Sequence, residues 1–161
     1  MKNDGIGEVP AGSEQSQVTD AIETRRPGEA PLGSLTPEEQ HWLATAFAHL
    51  NRVYGAREAG KPGNEAFCIF EVGNAYVQFR APWDSQQLVC EAVSARSVPE
   101  IAAVLTTKAD EALRQLGFKA PEIPPNYSQT ITIGCPEDLG YAVRLAFRVM
   151  KQVYQVMDFR P

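Results

Sequence analysis

Four sets of residues in this 161-residue chain have types that could do chemistry. Cys135 stands directly before Pro136-Glu137-Asp138, which reads as a helix start, and the unpaired amides of a helix N-terminus lower a thiol's pKa toward the reactive thiolate. Glu137 and Asp138 oppose that effect with negative charge, and no histidine or resolving cysteine is close in sequence, so a structural capping role is the plainer reading of Cys135. Glu71 and Glu91 would meet on one sheet face as a carboxylate pair for acid–base work, but Arg80 and Gln78 lie between them and make an ion-pair network the plainer explanation. His41 and His49 are eight residues apart, two helical turns rather than one, which is the wrong spacing for chelation. Arg144, Arg148 and Lys151 share a helix face and read as a solvated basic surface before they read as a phosphate site.

The composition narrows the classes further. The formal net charge is −5, and a nucleic-acid partner needs a clustered basic surface, so none is expected. Three cysteines at irregular spacing fit neither a disulfide framework nor a zinc site, which leaves reduced thiols. No cofactor is implied. The apolar runs are a few residues long and the N-terminus lacks the apolar region of a signal peptide, so no membrane span is expected and the cytoplasm is the default location.

The elements that position these residues are organised around three consecutive strands. Phe67 to Val72 and Ala75 to Arg80 flank Gly73-Asn74, a dipeptide suited to the positive φ angles of a two-residue hairpin turn. Such a turn pairs Val72 with Ala75, Phe70 with Val77 and Cys68 with Phe79 on an apolar face. The other face pairs Glu71 with Tyr76, Ile69 with Gln78 and Phe67 with Arg80. A third strand, Gln87 to Ser94, follows the turn Pro82-Trp83-Asp84-Ser85 and adds Val89, Glu91 and Val93 to that mixed face. Phe67, Ile69, Tyr76, Val89 and Val93 make it too apolar to be simply solvated, so either the chain's own helices or a partner must cover it.

Helices fill the remaining chain. Thr36, Pro37 and Glu39 form a capping-box signature, and Leu43, Phe47, Leu50 and Tyr54 recur at helical spacing until Gly55 and Gly60-Lys61-Pro62-Gly63 close the element. Ser97 is placed as an N-cap before Pro99 and Glu100, and Thr106-Thr107 could equally cap a second, shorter helix. Both options stand on the sequence. Gly117 is a C-terminal cap with Phe118 as its hydrophobic contact. Pro121, Pro124 and Pro125 force an extended link to a fourth strand, Ser128 to Ile133, and the last helix starts at Cys135 with Leu139, Val143, Ala146, Met150, Val153 and Met157 as its apolar positions. Residues 1–34 carry Gly and Pro at short intervals, no apolar periodicity, and six carboxylates against three basic residues. They are expected to form a flexible tail that adds nothing to the core, with at most a transient helix over Asp20 to Arg26 that Pro27-Gly28 ends.

Four segments carry a family resemblance. Ala75-Tyr76-Val77-Gln78-Phe79 followed by Leu88-Val89-Cys90-Glu91-Ala92-Val93-Ser94 resembles a "YVQF … L..EAVS" strand pair. Leu113-Arg114-Gln115-Leu116-Gly117-Phe118 with Pro121 resembles an "L..LGW..P" turn, with Phe118 in place of tryptophan, and Asn126-Tyr127 resembles an Asn-aromatic pair. Ala95 departs from the pattern where asparagine is expected. In this order they resemble the type III secretion chaperone-like family labelled TY-Chap, which includes the YbjN-type bacterial proteins, over about Thr36 to Met157.

The elements read from the residues stand in the order α-β-β-β-α-β-α in one domain over residues 35–161, and the resemblance implies an α+β fold with helices packed on a curved antiparallel sheet. It also implies a non-enzymatic, chaperone-like module that dimerises and holds a client protein. Combined with the mixed face, this makes Phe67, Ile69, Tyr76, Val89 and Val93 the expected partner surface. The competing class is a small enzyme or redox protein using Cys135 or the Glu71/Glu91 pair. A pocket for a small ligand between sheet and helices is a third possibility.

Overall fold

Gly73 adopts a φ of +59°, a region that side-chain-bearing residues rarely visit, and turns strand β1 (Glu65–Val72) back onto β2 (Ala75–Pro82). The register is the one that the two-residue turn dictates: Val72 faces Ala75, Phe70 faces Val77, Cys68 faces Phe79, and Ile69 and Phe67 face Gln78 and Arg80. Strands β3 (Gln87–Ala92) and β4 (Tyr127–Thr132) continue the antiparallel meander, so the sheet runs β1-β2-β3-β4 and stays open. The computed structural model describes residues 12–57, 65–83, 85–122 and 125–159. The expected helix stop at residues 60–63, Asp84 of the expected turn, Pro124 and the first eleven residues of the expected tail lie outside these.

One face of the sheet forms the core. Val77, Phe79, Ala81, Leu88, Cys90 and Ala92 are fully buried on it, and each large apolar side chain so placed contributes roughly 1.5–3 kcal/mol. Helix α2 (Pro37–Ala56) lays Leu43, Phe47 and Leu50 onto it, with Trp42 edge-on to Phe70 at 5.4 Å between ring centroids. The capping box is present: Glu39 donates its amide to Thr36 Oγ1 at 3.2 Å, and Thr36 donates its own to Glu39 Oε2 at 2.9 Å. Helix α4 (Pro136–Arg148) packs against α2, burying Ala142, Val143, Leu145 and Phe147.

Between β3 and β4 the structure takes the second of the two open options. Pro99–Ala103 forms a short 3-10 turn and Thr106 caps a separate helix α3 (Thr107–Gln115), accepting from the Ala109 amide at 3.3 Å. Ser97 is not an N-cap; its hydroxyl donates to Asn126 Oδ1 instead. Gly117, at a φ of +93°, ends α3 as expected, with the Phe118 amide donating to the Leu113 carbonyl at 3.0 Å. At the C-terminus α4 passes into a π-helical turn, Val149–Val153, and stops there. Met157, expected on the apolar stripe of a longer helix, is 88 % exposed, whereas Phe159 folds back to 4.9 Å from Phe147.

The N-terminal segment is the largest correction. Gly12–Glu23 forms helix α1, which packs on α4 and α2, and Ala21 is buried. Arg144 and Arg148, expected on a solvated face, are buried beneath this segment. Ala21 sits so close over Gly140 that a Cβ there would lie 1.9 Å from the Ala21 carbonyl oxygen. The sequence pattern misses this docking because it uses few apolar side chains. It uses backbone carbonyls, one carboxylate and a glycine notch.

Candidate functional site

The second face of the sheet brings together four of the five residues expected to bind a partner: Phe67, Ile69, Tyr76 and Val89. Across the four strands the register sets Phe67 beside Arg80, Val89 and Thr130 in one row, and Ile69 beside Gln78, Glu91 and Ser128 in the next. The described helices pack on the opposite, core face, so this face has no helix over it. Phe67 is 64 % and Ile69 44 % exposed, while Tyr76 and Val89 are half-buried beside them. Lone exposed apolar side chains are ordinary, but two on an edge strand flanked by two more form a patch.

Val93 does not belong to that patch. Strand β3 ends at Ala92, one residue short of the alternation that would carry Val93 onto the open face. Val93 is 0 % exposed; its amide donates to the Tyr76 carbonyl at 3.1 Å, and its own carbonyl accepts from Tyr154 Oη at 2.7 Å. It is a core residue that ties the end of the sheet to the C-terminal turn.

The centre of the face is polar and internally satisfied. Glu91 is buried, accepts a hydrogen bond from Gln78 and lies 3.5 Å from the Arg80 guanidinium, which also pairs with Glu65 at 3.0 Å. The pair of carboxylates weighed in the sequence is therefore not assembled: Glu71 faces Tyr76 in the register, and Glu91 is engaged by Gln78 and Arg80. Replacing Arg80 would leave Glu91 as an uncompensated buried carboxylate, the costly kind of disruption. Ser128, Thr130 and Thr132 of β4 border this centre with hydroxyls.

A buried polar clamp holds the far end of the face. Asn126 accepts from the Ser94 amide at 3.2 Å and from Ser97 Oγ at 2.5 Å through Oδ1, and its amide nitrogen donates to Tyr76 Oη at 3.0 Å. Ser94 Oγ reaches the Pro125 carbonyl. Two of the segments that carry the sequence resemblance, the one ending in Ser94 and the one opening on Asn126, thus meet in one network. The sequence singled out both without showing that they bond to each other. Tyr127 then donates to Asp110 Oδ1 at 2.8 Å and ties β4 to α3; burial first, with the Asp110 contact, pushes the phenol up to about 12.

The thiols offer little chemistry. Cys68 and Cys90 lie buried on the core side, where burial pushes the Cys68 thiol up to about 12 and raises Cys90 well above the ordinary thiol value. Cys135 is exposed at the start of α4, but hydrogen bonding with Glu137, and then with Asp138, also raises its thiol. Asp138 instead takes the amides of Gly134 at 2.8 Å and Cys135 at 3.2 Å, so the helix start is already capped. His41 is exposed, and His49 lies 2.7 Å from the Arg52 guanidinium. Among the described residues no group of three or more His, Cys, Asp or Glu could hold a metal ion, and no helix is long and apolar enough to cross a membrane. Two open clefts, of about 400 and 590 Å³, border the N-terminal segment rather than the space between sheet and helices.

No curated protein and no solved structure matches the chain. A family model does match, over residues 40–158, and its description is TY-Chap3, T3SS (YopN, CesT) and YbjN peptide-binding chaperone 3. That span begins inside α2, takes in the whole sheet and both later helices, and leaves the docked N-terminal segment outside it. With the four-stranded open sheet, the one-sided helical layer and the Ser94–Asn126 clamp all lying inside this match, the chain belongs to the TY-Chap3 family of peptide-binding chaperone domains.

Proposed function

We propose that the protein is a non-enzymatic, chaperone-like module of the cytoplasm that binds a segment of a client protein on the open face of its sheet. The single observation that carries this reading is the exposure of Phe67 and Ile69 on the side of the sheet that no described helix covers, opposite the side that holds the core. Tyr76 and Val89 complete the apolar part of the surface. Arg80 and the β4 hydroxyls offer polar contacts at its centre and border, an arrangement of apolar anchors beside polar groups that suits a protein interface. A second copy of the chain meeting on the same face would give the homodimer implied by the sequence resemblance.

Ile69→Lys tests the reading. Because Ile69 is already 44 % exposed, a lysine there can extend its ammonium into water, and the domain should keep its circular dichroism and cooperative unfolding. Sedimentation and client binding should then report loss of association. An unfolded variant would mean that the face is closed within the chain. A folded variant with unchanged assembly and unchanged client binding would remove the face from the function.

A further inference from the structure

The N-terminal segment is held on α4 through backbone carbonyls, one carboxylate and the close approach of Ala21 to Gly140. Arg144, 1 % exposed, donates to the carbonyls of Ala21 at 3.1 Å and Ile22 at 2.6 Å, which lie in the last turn of α1, where helix carbonyls lack intrahelical partners. A guanidinium at that position satisfies them and complements the negative end of the helix dipole. The same side chain grips Glu29 in a two-point contact, Nε to Oε1 at 2.7 Å and Nη2 to Oε2 at 2.9 Å. Arg148 lies 3.1 Å from Glu29 Oε1 and also donates to the Ala30 carbonyl. Among the described residues, the side chains of these arginines make their hydrogen bonds and ion pairs only to the N-terminal segment.

Shape agrees with charge. Gly140 is the notch that admits the α1 backbone, since a side chain there would strike the Ala21 carbonyl. Arg26 of the segment pairs with Asp138 and stacks over the Tyr141 ring at 4.2 Å. The fit is not sealed, however: one cleft opens between Pro27–Ala30 and α4, and the other between α1 and the Phe47–Asn51 turn of α2. The receptor residues Gly140, Arg144 and Arg148 lie within the family match and their occupant lies outside it.

We propose that this face of α4 is a peptide-binding site separate from the open sheet face, occupied in cis by residues 12–34, and that an acidic helical peptide in trans takes it by displacing that segment. The ligand class follows from the contacts: a helix ending in a small residue that fits against Gly140, followed after a turn by a carboxylate for the guanidinium pair. Tethering gives the cis segment a high effective concentration, so it acts as a plug that a competing peptide must outbind. Glu29→Ala weakens the plug and leaves the receptor intact.

The test uses the full chain and a fluorescein-labelled synthetic peptide with the sequence of residues 12–34, read by fluorescence anisotropy. The Glu29→Ala chain should bind this probe at least tenfold more tightly than the wild-type chain, and a probe carrying Glu29→Lys should bind neither. The Ile69→Lys chain should match wild type, because the sheet face lies on the other side of the core. Equal affinity of the wild-type and Glu29→Ala chains, or no saturable binding to a folded Glu29→Ala chain, would overturn the proposal. So would an unfolded Glu29→Ala chain, which would make the segment an inseparable part of the core. A concentration-dependent wild-type dimer abolished by Glu29→Ala would assign the site to exchange between two copies and would overturn the commitment to a peptide in trans.

Discussion

Glu29 is one carboxylate shared by two buried guanidinium groups, so the charge that holds the N-terminal segment on α4 is concentrated in a single titratable group. Burial alone pushes its carboxyl up, but the Arg144 hydrogen bond, the Arg26 amide and the two arginine charges outweigh burial and hold it below the ordinary value of 4.5. A carboxyl lowered by folding contributes stability that is fully present above its unfolded value and is lost as pH falls through the folded one. Acidification below about pH 4.5 should therefore release the segment before the sheet unfolds. Hydrogen exchange at the α1 amides, followed as pH is lowered in the wild-type and Glu29→Gln chains, checks this. The wild type should lose protection in that window, Glu29→Gln should lack protection already at pH 7, and equal protection in both would contradict the account. None of this was legible in the sequence, where Glu29 stands between glycine and alanine in a polar segment. A signal did exist in the spacing of Arg144 and Arg148, one helical turn apart on a helix that also carries Gly140 four residues earlier.

At the scale of the elements, legibility follows the physics that fixes each one. The hairpin was readable to the residue because a two-residue turn and strict alternation leave only one register that keeps Cys68, Phe70, Val77 and Phe79 on the same side. The α2 start was readable from its capping box and the α3 end from Gly117. Helix α1 was not readable, because Val18, Ala21 and Ile22 are too few to make a stripe and the docking is carried by Arg144, Arg148 and Gly140 on a distant element. Val93 was misplaced because the alternation outruns the strand, which ends at Ala92. Docking of α1 has a measurable consequence, opposite to that expected of a flexible tail. Deleting residues 1–34 should lower the thermal midpoint by about 5–10 °C, on the order of 1–3 kcal/mol for a domain of this size. A calorimetric midpoint within about 1 °C of the full chain would show that the segment contributes nothing.

Among the described residues the molecule is a one-sided sandwich: helices α2 and α4 take the core side of the sheet, α1 is strapped across α4, and no described helix covers the far side of the sheet. The family's peptide-binding description fits a molecule with surface to spare. The open face supplies apolar anchors at one edge, a satisfied Arg80–Glu91 centre and a hydroxyl border, and the Asn126 clamp fixes its end. What the sequence conveyed at this scale was the sheet, its two faces and the family; what it withheld was the strap, whose contacts span more than a hundred residues of chain. Site-specific photo-crosslinking in the native host tests the central claim most directly, with p-benzoylphenylalanine replacing Phe67 on the open face and, as a control, Arg52 on the exposed side of α2. Adducts of defined mass should form from position 67, disappear when Ile69→Lys is added, and be absent from position 52. Adducts from position 52 with none from position 67 would contradict the claim that the open face of the sheet is where this protein meets its partner.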